Sequence, residues 1–88
     1  MDRLRPIGCV VAICDSDSKI LIVGYYPKSK DKEYHYLGVN WPFGYSVDKK
    51  FVLFDEKSII DVLFNGFDTP DSQKFLSLFP LIKDAADY

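Results

Sequence analysis

The chain has 88 residues, of which 48% are hydrophobic and 16% aromatic, and 11 Lys plus Arg against 13 Asp plus Glu give a formal net charge of −2. These figures exclude a disordered chain, which lacks the apolar side chains to build a core, and a polybasic surface of the kind that grips phosphate backbones or anionic lipid. They leave room for a single domain, 1–88, with its core expected over about 5–82 and a fraying tail at 83–88.

The first elements read as a β-hairpin. PIGCVVAIC and KILIVGYY are β-rich runs separated by the turn residues DSDS, and they predict strands at about 7–14 and 19–26. On the first strand Ile7, Cys9, Val11 and Ile13 share one face, and Gly8, Val10, Ala12 and Cys14 share the other. Both faces are apolar, so both are expected to be covered, which favours a curled sheet or small barrel. Cys9 and Cys14 lie on opposite faces, roughly 16 Å apart along a strand, too far for a disulfide. Two free thiols fit a reducing compartment. The opening MDRLRPIGCVVAIC is read as a strand and not as a signal peptide, because Pro6 and Gly8 interrupt it and a matching strand follows. No run is long enough to span a bilayer.

Further along, PKSKDK is a polar loop, and Pro27 should end the second strand. EYHYLGV alternates, with Tyr34 and Tyr36 on one face and His35 and Leu37 on the other, and predicts a third strand antiparallel to the second. YLGVNWPFGY then leaves the sheet through Asn40, Pro42 and Gly44 with an unusual load of rings. KFVLF predicts a fourth strand at about 50–54. DEKSIIDVLFNGF fits either a helix capped by Asp55 or a helical turn at about 56–60 followed by a strand; the apolar run Val62–Phe64, ended by Asn65-Gly66, favours turn then strand. In DTPDSQKFLSLF, Thr69 is a good N-cap, Pro70 suits the first helical position and Asp71 complements the macrodipole. Phe75, Leu78, Phe79 and Ile82 recur at helical spacing and are expected to face the sheet, with a kink or restart at Pro80.

No catalytic device is recognisable. The single histidine, His35, lacks the partners of a nucleophilic triad, and it reads most simply as a strand residue. One His and two opposed Cys do not make a zinc set, DSDS lacks the ligands of a calcium loop, and single glycines in turns do not cradle phosphate. The expectation is therefore a non-enzyme with no cofactor and no metal. Lys28, Lys30 and Lys32 beside Tyr25, Tyr26, Tyr34 and Tyr36 hold the ingredients of a single-strand nucleic-acid platform; with a net negative chain the reading is instead cross-strand tyrosine pairs and a lysine-blunted edge, with no nucleic acid and no membrane as partner. Tyr, Trp and Phe are also the residues of protein–protein hot spots. Tyr34, Tyr36, Trp41, Phe43 and Tyr45 are thus candidate partner-binding residues, against the alternative that Trp41 and Phe43 fold back to cap one end of the sheet.

RPIGCVVAI, KILIVGYYP, YHYLGVNWPFGY and FVLFDEKSIIDVLFNGFDTPDSQKFL, in that order, resemble domain-of-unknown-function family 4176, small proteins of Gram-positive bacteria. The matching positions are Pro6, Ile7 and Gly8; Gly24 and Tyr25; Tyr34, Tyr36 and Gly38; Pro42, Gly44 and Tyr45; and Phe64, Gly66 and Phe67. Trp41 stands where the pattern has Tyr, Phe43 where it has an acidic residue and Cys9 where it has a small polar one. The resemblance implies a cytoplasmic, non-catalytic adaptor or chaperone that holds an LXG-type toxin of the type VII secretion pathway, together with small helical accessory proteins. It also admits an immunity protein that neutralises the toxin; a nucleic-acid or small-ligand binder using the tyrosine face is a further alternative. The expected fold class is α+β: a mostly antiparallel curled sheet or small open barrel of about five strands with one packed C-terminal helix.

Overall fold

The computed structural model describes residues 4–14 and 16–82. Its strands form where β-branched and aromatic residues alternate between turn residues. They are β1 (Val10–Ile13), β2 (Lys19–Tyr25), β3 (Lys28–Ser29), β4 (Lys32–Glu33), β5 (Tyr36–Trp41), β6 (Val52–Phe54) and β7 (Ile59–Phe64), with a 3-10 turn at Glu56–Ser58 and one helix, α1 (Pro70–Ile82). Five strands build one antiparallel sheet in the order β6-β5-β2-β1-β7, open at β6 and β7. This is the expected α+β fold, a curled antiparallel sheet with one C-terminal helix. The turn-then-strand reading of residues 56–64 holds. The polar loop after Pro27 instead forms a small hairpin, β3–β4, turning at Lys30 with φ 56.

The register sorts the sheet into two faces. The first carries Val11, Ile13, Ile20, Ile22, Tyr36 and Phe54, which form the core with Leu4, Cys9, Leu76 and Phe79. Gly38 lies among them because a Cβ there would run into Ile20 Cγ2 and crowd the Leu21 carbonyl. On the second face, Phe64, Val10, Leu21 and Val39 form a row across four strands. Gly24, Leu37 and Leu53 form a neighbouring row. The expected covering of both faces holds in part: the buried residues of α1 join the first face, and on the second Val10 and Val39 are buried although, among the described residues, no helix lies over them.

Helix α1 begins with a reciprocal cap. The Ser72 amide donates to Thr69 Oγ1 at 3.1 Å and the Thr69 amide donates to Ser72 Oγ at 2.9 Å, so two amides left over at the helix start are satisfied. Among its described side chains Leu76 and Phe79 are buried, whereas Phe75 and Leu78 stay 48% and 46% exposed. The predicted stripe is thus rotated: Phe79 packs edge-on against Tyr25 and Tyr26, and Phe75 stacks on Phe79 from outside. The helix also continues through Pro80 instead of restarting, since proline's fixed φ is helical and only one amide is lost. Packing of the Ile82 side chain and fraying of residues 83–88 lie outside the described residues. Cys9 is buried, Cys14 is exposed, and both are free thiols.

Candidate functional site

The second face of the sheet carries two apolar rows. Its centre is buried, with Val10 and Val39 below one-tenth exposed, but its margins are open. Phe64 on β7 is 63% exposed, and Val23 and Trp41 are also exposed. Lys19 and Asp61 flank Ala12 at one end of this face, and Trp41 pairs with Lys19 there. A sheet with two apolar faces ordinarily buries both, and a contiguous apolar surface left open marks a place for another molecule.

The aromatic turn borders this face. It leaves β5 through a cis Trp41–Pro42 peptide bond. The Gly44 amide then donates to the Asn40 carbonyl at 2.6 Å, and Ser46 and Lys49 exchange bonds of 2.9 and 3.0 Å. The loop is therefore internally braced, and its rings project from a defined backbone. Phe43 and Tyr45 are both exposed; Tyr45 packs tilted against Phe51, with ring centres 4.7 Å apart, and Lys49 Nζ sits 4.7 Å above the Phe43 ring.

The predicted binding residues thus separate. Trp41, Phe43 and Tyr45 are all exposed. Tyr34 is half-buried in the segment before β5, beneath Lys32 Nζ at 4.6 Å. Tyr36 is fully buried, so its ring is core and is corrected from a surface anchor to a structural residue. Sequence reasoning missed Phe51, Phe64 and Val23. The signal was present in the doubly apolar first strand, whose outer face extends through the register to Phe64.

Tyr36 instead anchors a polar staple. Its hydroxyl donates to Glu56 Oε1 at 2.6 Å and accepts the Arg5 amide at 3.0 Å. Arg5 Nε and Nη2 both donate to Glu56 Oε2, at 3.1 and 2.7 Å, and the Tyr25 hydroxyl donates to the Arg5 carbonyl. Burial, then the bond to Glu56, raises the Tyr36 hydroxyl well above the ordinary tyrosine range. Burial pushes Tyr25 up to about 12 and also raises the Cys9 thiol. The hydrogen bond to Glu56 raises Arg5 further. The staple ties the segment before β1 to the 3-10 turn across the core.

His35 has a similar structural part. Its amide donates to Asp55 Oδ1 at 3.1 Å, and its Nδ1 accepts the Glu56 amide at 3.0 Å. A neutral ring therefore carries its proton on Nε2, and the 3.7 Å approach of Nδ1 to Asp55 is not an ion pair in that tautomer. Lys28 lies 3.9 Å from Glu33, and Lys32 lies 3.7 Å from Asp55, so these two lysines of the small hairpin meet carboxylates. Among the described residues no group of three or more His, Cys, Asp or Glu forms a metal-binding cluster, and no helix is long and apolar enough to cross a membrane.

The molecule is a small open-sheet domain, clothed by a helix on one face and apolar on the other. A family model described as "Domain of unknown function (DUF4176)" matches residues 4–75, and the chain belongs to that family. No curated protein and no solved structure matches it.

Proposed function

We infer that this protein binds another protein through the bare face of its sheet and the bordering aromatic turn, as a non-catalytic, cytoplasmic adaptor or chaperone for an LXG-type toxin of the type VII secretion pathway. The observation that carries the binding role is the second sheet face, apolar across four strands and free of any covering helix among the described residues. Large rings at its margin hold much apolar area with little rotamer freedom to lose, and the braced turn lowers the ordering cost of association. The toxin as partner comes from the resemblance to the family.

Co-expression with an LXG-type toxin tests the reading. The expected result is co-purification of the two chains with the toxin's activity intact in the complex. Failure to co-purify removes the proposed partner. Co-purification with toxin activity abolished makes the protein an immunity factor instead.

A further inference from the structure

Where the backbone pairing of β5 and β6 ends, two side chains carry it on. The last paired residues are Tyr36 and Phe54. One step outward, the His35 amide donates to Asp55 Oδ1 at 3.1 Å and the Glu56 amide donates to His35 Nδ1 at 3.0 Å. This exchange closes the start of the 3-10 turn Glu56–Ser58. Asp55 stands at the N-cap position but makes no cap bond with its own side chain. The first amide of the turn is held instead by an imidazole from the segment leading into β5.

The ring has charged neighbours on several elements. Glu33 and Lys57 line a cleft of about 530 Å³ with His35, Asp55 and Glu56. The Tyr36 ring stands edge-on, with its centre 6.2 Å away. Lys32 Nζ approaches Asp55 Oδ2 at 3.7 Å, and Lys28 approaches Glu33 at 3.9 Å. Arg5 and Tyr36 take the two carboxylate oxygens of Glu56. Asp55 Oδ1, 3.7 Å from Nδ1, is the oxygen placed to receive a proton from the ring. The His35 side chain is 42% exposed, so solvent protons reach it.

Histidine is the side chain that ordinarily changes charge between about pH 5 and 8. Here one nitrogen cannot serve both forms. Neutral, Nδ1 accepts and holds the Glu56 amide. Protonated, Nδ1 is a donor; it opposes that amide and is drawn to the Asp55 carboxylate. The two arrangements exclude each other. Glu56 links the choice to the core, because its carboxylate holds Arg5 and Tyr36.

We propose that His35 is a proton-operated latch: neutral, it caps the 3-10 turn and holds Glu56 in the staple; protonated, it turns Nδ1 to Asp55 and frees the turn and, through Glu56, the segment before β1. The latch rests on contacts made inside this chain, so it stands whether or not the toxin reading does.

The test is heteronuclear NMR of the full chain, titrated from about pH 8 to about pH 5. His35 is the single histidine, so its ring signals belong to one residue. At the upper end the ring should carry its proton on Nε2. As the ring titrates, the Glu56 and Arg5 amide signals should shift with its midpoint, and the exchange protection of the Glu56 amide should fall about tenfold or more. His35→Asn places an acceptor that does not titrate where Nδ1 stands, and in this variant the step should vanish. Several results would overturn the proposal: a ring proton on Nδ1 at the upper end, a ring that keeps one charge throughout, or a Glu56 or Arg5 amide that ignores the ring. So would the same step in folded His35→Asn; if that variant does not fold, the traces of the unsubstituted chain decide alone.

Discussion

Two tyrosines and two cysteines show how burial divides chemically equal side chains. Tyr25 and Tyr36 have their hydroxyls inside the staple around Arg5 and Glu56, and burial holds both above the ordinary tyrosine value. An unfolded tyrosine loses its proton near 10, while these keep theirs to about 12 or beyond. The folded form therefore binds more protons above pH 10, and the stability they contribute, complete below about pH 10, is lost as pH rises through their folded values. Phenolate absorbance should show Tyr25 and Tyr36 ionising late and together with loss of structure; ionisation of every tyrosine near pH 10 in a folded chain would refute the staple. The thiols divide likewise. Cys14 is exposed and Cys9 is buried with a raised pKa. A thiol reagent should label one cysteine in the native protein and two after denaturation. Fast labelling of both without unfolding would mean that Cys9 is not core.

Helix α1 is the element whose start is best specified. Thr69→Ala should lower stability by about 1 kcal/mol, because the Ser72 amide loses its acceptor. Leu76→Ala should cost about 2–5 kcal/mol, since Leu76 is fully buried, and Phe75→Ala about 1–2 kcal/mol, since its ring is half exposed. Denaturant midpoints check this order; a larger loss for Phe75 would restore the stripe expected from periodicity. That stripe was misread for a physical reason. Phe79 belongs both to the set with Phe75 and to the set with Leu76, and spacing cannot say which neighbour the sheet meets. The cap was legible because Thr69, Pro70 and Asp71 act locally. The hairpin of β1 and β2 and the strand after the 3-10 turn were legible from alternation and turn residues. The β3–β4 hairpin was not, since Lys28–Glu33 is polar throughout and carries no apolar alternation to mark its strands. Tyr34 and Tyr36 looked equivalent by alternation, but β5 begins only at Tyr36, so one ring enters the core and the other stays beside it.

Among the described residues the molecule is a layer short of a closed design: helix, sheet, and then an apolar face that no helix covers. Composition could not reveal this, because it fixes how much apolar surface exists and not how one short helix is shared between two faces. Covering that face by a partner is the central claim. The direct measurement is toxin co-purification with Val23→Lys, Phe64→Ser and Trp41→Ser, each confirmed folded by thermal melting. All three residues are exposed, Phe64 and Trp41 on the bare face and Val23 at the register shift of β2, so each variant should keep its fold. The account predicts that at least two of them weaken toxin capture by about tenfold or more, equivalent to about 1.4 kcal/mol each. Full capture by all three folded variants would contradict it and place the partner elsewhere on the domain.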